Sequence, residues 1–126
     1  MPSHVHLIIS TASGNLSDII RDMKRHTSKE LINCIQVNNC ESRREWLLWM
    51  FKRAGKKNAN NKEYQFWQQN NHPVELSTNV MLSQRLNYLH QNPVESGFVA
   101  EAHHYLYSSA IDYSGGKGLL NIVHAS

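Results

Sequence analysis

His4-Val-His6-Leu-Ile-Ile9 is the stretch on which the fold turns. Apolar and other residues alternate here, which predicts a β-strand with Val5, Leu7 and Ile9 on one face and His4, His6 and Ile8 on the other. Both imidazoles then point the same way while Val5 anchors the strand in a core. Two neutral imidazoles two residues apart can share one divalent ion. The pair alone is a weak signal: with eight histidines in 126 residues, a His-x-His arises by chance about half the time. A satisfied structural role is its bland alternative.

Further along, Leu82 to Asn92 has helical periodicity, with Asn79 as the candidate cap and Val80, Met81, Leu82, Leu86 and Leu89 as the buried stripe. Pro93 and Gly97 are expected to end this helix. Tyr88 and Asn92 stand four apart and share one helix face. An Asn carbonyl oxygen can complete a mixed nitrogen/oxygen shell suited to Mg²⁺ or Mn²⁺. A tyrosine oxygen can form a covalent intermediate, and an ion that polarises the target phosphate makes such an attack feasible at neutral pH. The plainer reading makes Tyr88 a packing residue and Asn92 a helix-end residue, pushed out of helical geometry by the following proline.

Two more helices are expected. Asn15 or Ser17 can cap one that carries Leu16, Ile19, Ile20, Met23, Thr27, Leu31 and Ile35 at helical spacing to about residue 38, with a basic outer face. The other, Glu41 to Ala54, holds Trp46 to Phe51 and is apolar nearly all round, which favours core packing over an interfacial membrane helix. A polar loop over 55–61 should stop it. Residues 64–68 and 74–77 read as short extended segments around an Asn-Asn-His-Pro turn, and 98–113 as an aromatic tail in an irregular or short helical arrangement.

Charge is regional. Residues 21–62 hold eleven of the thirteen Lys/Arg and four of the ten Asp/Glu, so this segment carries +7 and the rest of the chain −4. Lys24, Arg25, Lys29, Lys52, Arg53, Lys56 and Lys57 are the candidate phosphate-binding cations, with Trp67 or Trp46 as candidate platforms for unpaired bases. Ordinary solvated helix faces are the alternative.

A 126-residue chain of 14.5 kDa suits one domain over 1–126, with a basic helical insertion around 41–62. The longest apolar run, Leu47 to Phe51, is far too short to span a bilayer. Nothing in Met-Pro-Ser-His marks secretion, and Cys34 and Cys40 form at most one bridge and no zinc signature, so a reduced cytoplasmic setting is expected.

Met1-Pro-Ser-His4-Val-His6-Leu-Ile-Ile, together with Leu86-Asn-Tyr88-Leu-His-Gln-Asn92-Pro-Val-Glu-Ser-Gly97-Phe-Val, closely resembles the single-tyrosine HUH transposases, in particular the REP-associated tyrosine transposase branch of this insertion-sequence-type family. Leu16-Ser-Asp-Ile-Ile-Arg-Asp-Met-Lys24-Arg, Phe66-Trp67-Gln68 and Tyr105-Leu-Tyr-Ser-Ser-Ala-Ile-Asp-Tyr113 look like further recurring segments, so the resemblance covers most of the chain. It implies an α+β fold, a ferredoxin-like α/β sandwich with an antiparallel sheet. It also implies cleavage and rejoining of single-stranded DNA near hairpins, through a 5′-phosphotyrosine link and a free 3′-hydroxyl. On that resemblance His4, His6 and Asn92 are the metal ligands, Tyr88 the nucleophile, and Mg²⁺ or Mn²⁺ the cofactor; no nucleotide is needed.

The family normally places a strand, a helix and a strand before its histidine strand, and this chain begins almost on its first histidine, as expected of a truncated gene copy or of a mis-assigned start. An unpaired strand edge would follow. Three readings stand: a tyrosine DNA strand transferase, an inactive remnant that only binds nucleic acid, and a hydrolytic metallonuclease using water. No stretch reads as a dedicated dimer seam, which favours a monomer over a dimer, although an open sheet edge invites association.

Overall fold

The structure, a computed structural model, describes residues 3–60 and 63–125. Lys62 and Asn61, at the end of the basic segment, lie outside the described residues, as do Met1 and Pro2 of the resembling motif. Where the sequence suggests one domain, the chain forms two compact units: Met1–Ile9 with Pro73–Ser126, and Ser10–His72.

The second of these units is built on two helices, α1 (Leu16–Val37) and α2 (Arg44–Lys56), which pack against each other. Asn15 caps α1 as its sequence position suggests, its side-chain oxygen accepting from the Ser17 amide at 2.9 Å. Ile32 of α1 is the unit's buried apolar side chain, and Cys34 and Cys40 are both free and exposed. After α2 the chain returns extended along it: the Gln65 amide donates to the Phe51 carbonyl at 3.0 Å, and the Phe51 and Phe66 rings lie 4.9 Å apart. The helix continues through Gly55 to Lys56 instead of stopping there, and this buried glycine lets the returning chain approach: a Cβ on it would collide with the Glu63 carbonyl.

The first unit is carried by α3 (Asn79–Glu95), followed by a 3₁₀ turn (Ala102–His104) and the short α4 (Ala110–Tyr113), with the turn packed on both helices. Thr78, one residue before the expected Asn79, caps α3 by accepting from the Met81 amide at 3.2 Å. Pro93 does not end this helix. A proline removes one donor and crowds the carbonyl four residues back, but here it falls in the last turns and the closure lies beyond it. The Phe98 amide bonds the Pro93 carbonyl at 2.9 Å and the Gly97 amide the Val94 carbonyl at 2.9 Å, with Gly97 at φ +76°. This is a Schellman end, and glycine is the residue that adopts its left-handed position without strain. Asn92 is therefore held in helical geometry, contrary to the expectation that Pro93 displaces it.

The ferredoxin-like α/β sandwich is not formed. Among the described residues there is no β-strand and no sheet; regular structure is helical throughout. A strand is stabilised by a neighbour that takes up its backbone groups, and residues 4–9 join no ladder. Segments 64–68 and 74–77 do not supply the missing neighbour: neither forms a strand, and the former is committed to α2. Val5, expected to anchor a core, is 61% exposed, and Leu7 and Ile9 are exposed as well. No helix among the described residues is long and apolar enough to cross a membrane.

Replacing Gly55 with alanine sets a gain in helix propensity of about 1 kcal/mol against collision with main chain, and the collision prevails. Gly55→Ala is expected to destabilise the Ser10–His72 unit by roughly 1–3 kcal/mol, read as a lowered urea midpoint; an unchanged or raised midpoint would contradict this packing.

Candidate metal and nucleophile site

Four of the residues singled out from sequence lie together in the unit that carries α3. His4, His6 and Asn92 line one cleft of about 130 Å³, along with Val5, Leu89 and Pro93 and, from the far side, Tyr105, Tyr107 and Ser108. The His4 and His6 rings are 4.8 Å apart at 90°, brought together without a sheet beneath them. His4 Nδ1 lies 3.0 Å from the Ser3 hydroxyl, leaving Nε2 as its other ring nitrogen. Partial desolvation, then the neighbouring His4 imidazole, hold the His6 pKa below its ordinary 6.5. A neutral ring with a lone pair to donate is the form this favours at pH 7.

Asn92 is 9% exposed, and its side-chain oxygen is buried without a hydrogen-bond donor among the described residues. An orphaned buried carbonyl costs about 1–3 kcal/mol, a cost that an electropositive partner would remove. With two imidazole nitrogens in the same cleft, the donor set is N, N, O, which fits a divalent cation. One helical turn earlier, Tyr88 is 49% exposed and its ring meets His6 edge-on at 5.7 Å between centroids. The i, i+4 relation of Tyr88 and Asn92 on α3 thus brings a phenol beside the imidazoles while the amide reaches into the cleft.

Arg85 escaped the sequence reading. It lies three residues before Tyr88, on the same side of α3, and lines a shallow groove with Met81, Gln84 and Tyr88. Its signal was available: it is one of two cations outside residues 21–62, and the i, i+3 spacing to Tyr88 is plain in the chain.

A second group of potential ligands, Glu101, His103 and His104, has its donor atoms within 4.8 Å of one another, with His103 Nδ1 3.5 Å from Glu101 Oε2. It sits on the 3₁₀ turn, with Glu101 at the turn's N-cap.

The candidate nucleic-acid residues divide by their surroundings. Lys24 is tied down, its Nζ donating to the Gln68 carbonyl at 2.7 Å. Trp67 is half-buried, its indole N–H donating to the Thr27 hydroxyl at 2.9 Å and its ring against Phe66, which makes it a packing anchor. Arg25 is exposed beside Asp22, 4.0 Å away, and Lys29 is exposed. On α2, Lys52, Arg53, Lys56 and Lys57 are all exposed.

No family model, curated protein or solved structure matches this chain.

His90, two residues from both Tyr88 and Asn92, ties α3 to α4: its Nε2 lies 2.9 Å from the Ser109 hydroxyl and its ring 5.1 Å from that of Tyr113. Burial holds its pKa below the ordinary 6.5. The unfolded chain therefore takes up this proton first, and the folded state loses stability as pH falls from about 6.5 downward. Urea midpoints measured at about pH 7.5 and about pH 5.5 should fall further in the wild type than in His90→Gln; equal falls would remove His90 from the account.

Proposed function

We propose that this chain is a metal-dependent, HUH-type tyrosine transposase that cleaves and rejoins single-stranded or hairpin DNA in a cytoplasmic setting. The observation that carries this reading is the buried, donor-free Asn92 oxygen in the cleft it shares with His4 and His6, with the Tyr88 ring against His6. His4, His6 and Asn92 would hold Mg²⁺ or Mn²⁺, which when bound would draw charge from a phosphodiester oxygen. Tyr88 Oη attacks phosphorus, giving up its proton. The bond to the 3′-oxygen breaks, that oxygen takes up a proton, and a 5′-phosphotyrosine remains. Rejoining is the reverse with another 3′-hydroxyl, so one ester is exchanged for another and no nucleotide is consumed. Arg85, in the groove beside Tyr88, would hold a neighbouring phosphate in register for attack.

A nucleic-acid-binding module without strand transfer is the second reading. The observation that favours it is the segment 4–9 lying outside any sheet with its apolar side chains exposed. Incubation with Mn²⁺ and labelled single-stranded hairpin DNA separates the two. A denaturant-stable protein–DNA adduct that is absent in Tyr88→Phe, and at least about tenfold weaker in Arg85→Ala, is the outcome expected of the transposase. Binding without an adduct favours the module, and cleavage that survives Tyr88→Phe would assign the chemistry to water.

A further inference from the structure

Helix α2 has two sides. Leu47, Leu48, Met50, Phe51, Ala54 and Gly55 fall within one arc of the helix and are half-buried or buried. Trp46, Trp49, Lys52, Arg53, Lys56 and Lys57 fill the opposite arc, and all are exposed. The run that reads as apolar all round is thus an ordinary inner face backed by two indoles among four cations. Trp46 is 53% and Trp49 54% exposed, so both leave indole surface uncovered.

We propose that this outer face of α2 is a binding platform for single-stranded DNA, with Trp46 and Trp49 stacking unpaired bases and the four cations taking phosphates. It deepens the nucleic-acid part of the function proposed above and uses none of that cleft's chemistry. The indoles stand about 4.5 Å apart along the helix axis, a step comparable with the 3.4 Å rise of one strand. Arg53 lies 5.2 Å from the centre of the Trp49 ring, a cation–π contact that steadies the indole before a base arrives. Glu45, on this side, is the single acidic residue of this helix, and Lys52, Lys56 and Lys57 have no ion pair among the described residues. That charge suits a polyanion. A protein partner fits less well because interface centres are poor in lysine. A lipid surface fits less well because two indoles without an aliphatic stripe give little to insert.

The test uses the full chain carrying Tyr88→Phe, in chelator, so that binding is read apart from cleavage. A short hairpin-free single-stranded DNA is titrated by tryptophan fluorescence and by polarisation, with heparin as the polyanion that has no bases. Trp46→Ala and Trp49→Ala should each weaken DNA binding by about tenfold while leaving heparin binding within about twofold, and Trp49→Phe should recover most of the loss. Urea midpoints matching the parent protein confirm that the exposed sites do not carry the fold. The proposal is overturned if the parent does not bind the strand, if both alanine variants bind it as the parent does, or if heparin and DNA weaken equally. Failure of adduct formation with wild-type Tyr88, alongside Trp49-dependent binding, would instead overturn strand transfer and leave the platform standing.

Discussion

A carbonyl oxygen buried without a donor is the constraint around which the α3 unit is arranged. Asn92 is 9% exposed, and no described group donates to its side-chain oxygen. Such a group is costly by the general rule for unsatisfied buried polar atoms, and a cost of this kind is most simply read as serving something outside the chain. The two imidazoles in the same cleft complete a nitrogen and oxygen donor set, on which the proposed cation rests.

Getting the amide there depends on the end of α3. Were the helix to stop at the residue before Pro93, Asn92 would leave the register it shares with Tyr88, and phenol and amide would no longer be one turn apart. The Schellman closure through Phe98, Gly97, Val94 and Pro93 places the helix end beyond the proline. The histidine segment, by contrast, has no ladder to hold it. Helix α3 is the rigid element of the candidate site, and residues 4–9 are the element whose position the helix must support.

Helices were the legible part of the chain. Asn15, the apolar spacing of α1 and the terminating Gly97 are local signals, and local signals are written in adjacent residues. The Tyr88–Asn92 relation was legible for the same reason, and their meeting with the histidines came from resemblance, not from spacing. The sheet was misjudged because alternation in His4 to Ile9 reports only a capacity to pair, while a strand also needs a partner elsewhere in the chain. Pro93 misled because proline's effect depends on how near the helix end it falls. Trp67, Trp46 and Trp49 could not be sorted from composition: which indole finds a hydroxyl and which faces solvent is a tertiary fact, decided by Thr27 in one case and by the rotation of α2 in the others.

Mn²⁺ binding in Asn92→Leu, followed by the loss of the free-ion paramagnetic resonance signal in a His103→Ala background that removes the second ligand cluster, tests the central claim most directly. Exchanging an unsatisfied buried amide for an apolar side chain should leave the metal-free fold at least as stable as the parent while weakening Mn²⁺ binding by about tenfold or more, as His4→Ala and His6→Ala also should. Unchanged Mn²⁺ affinity in Asn92→Leu, with the fold intact, would show that this oxygen serves no cation and would contradict the account.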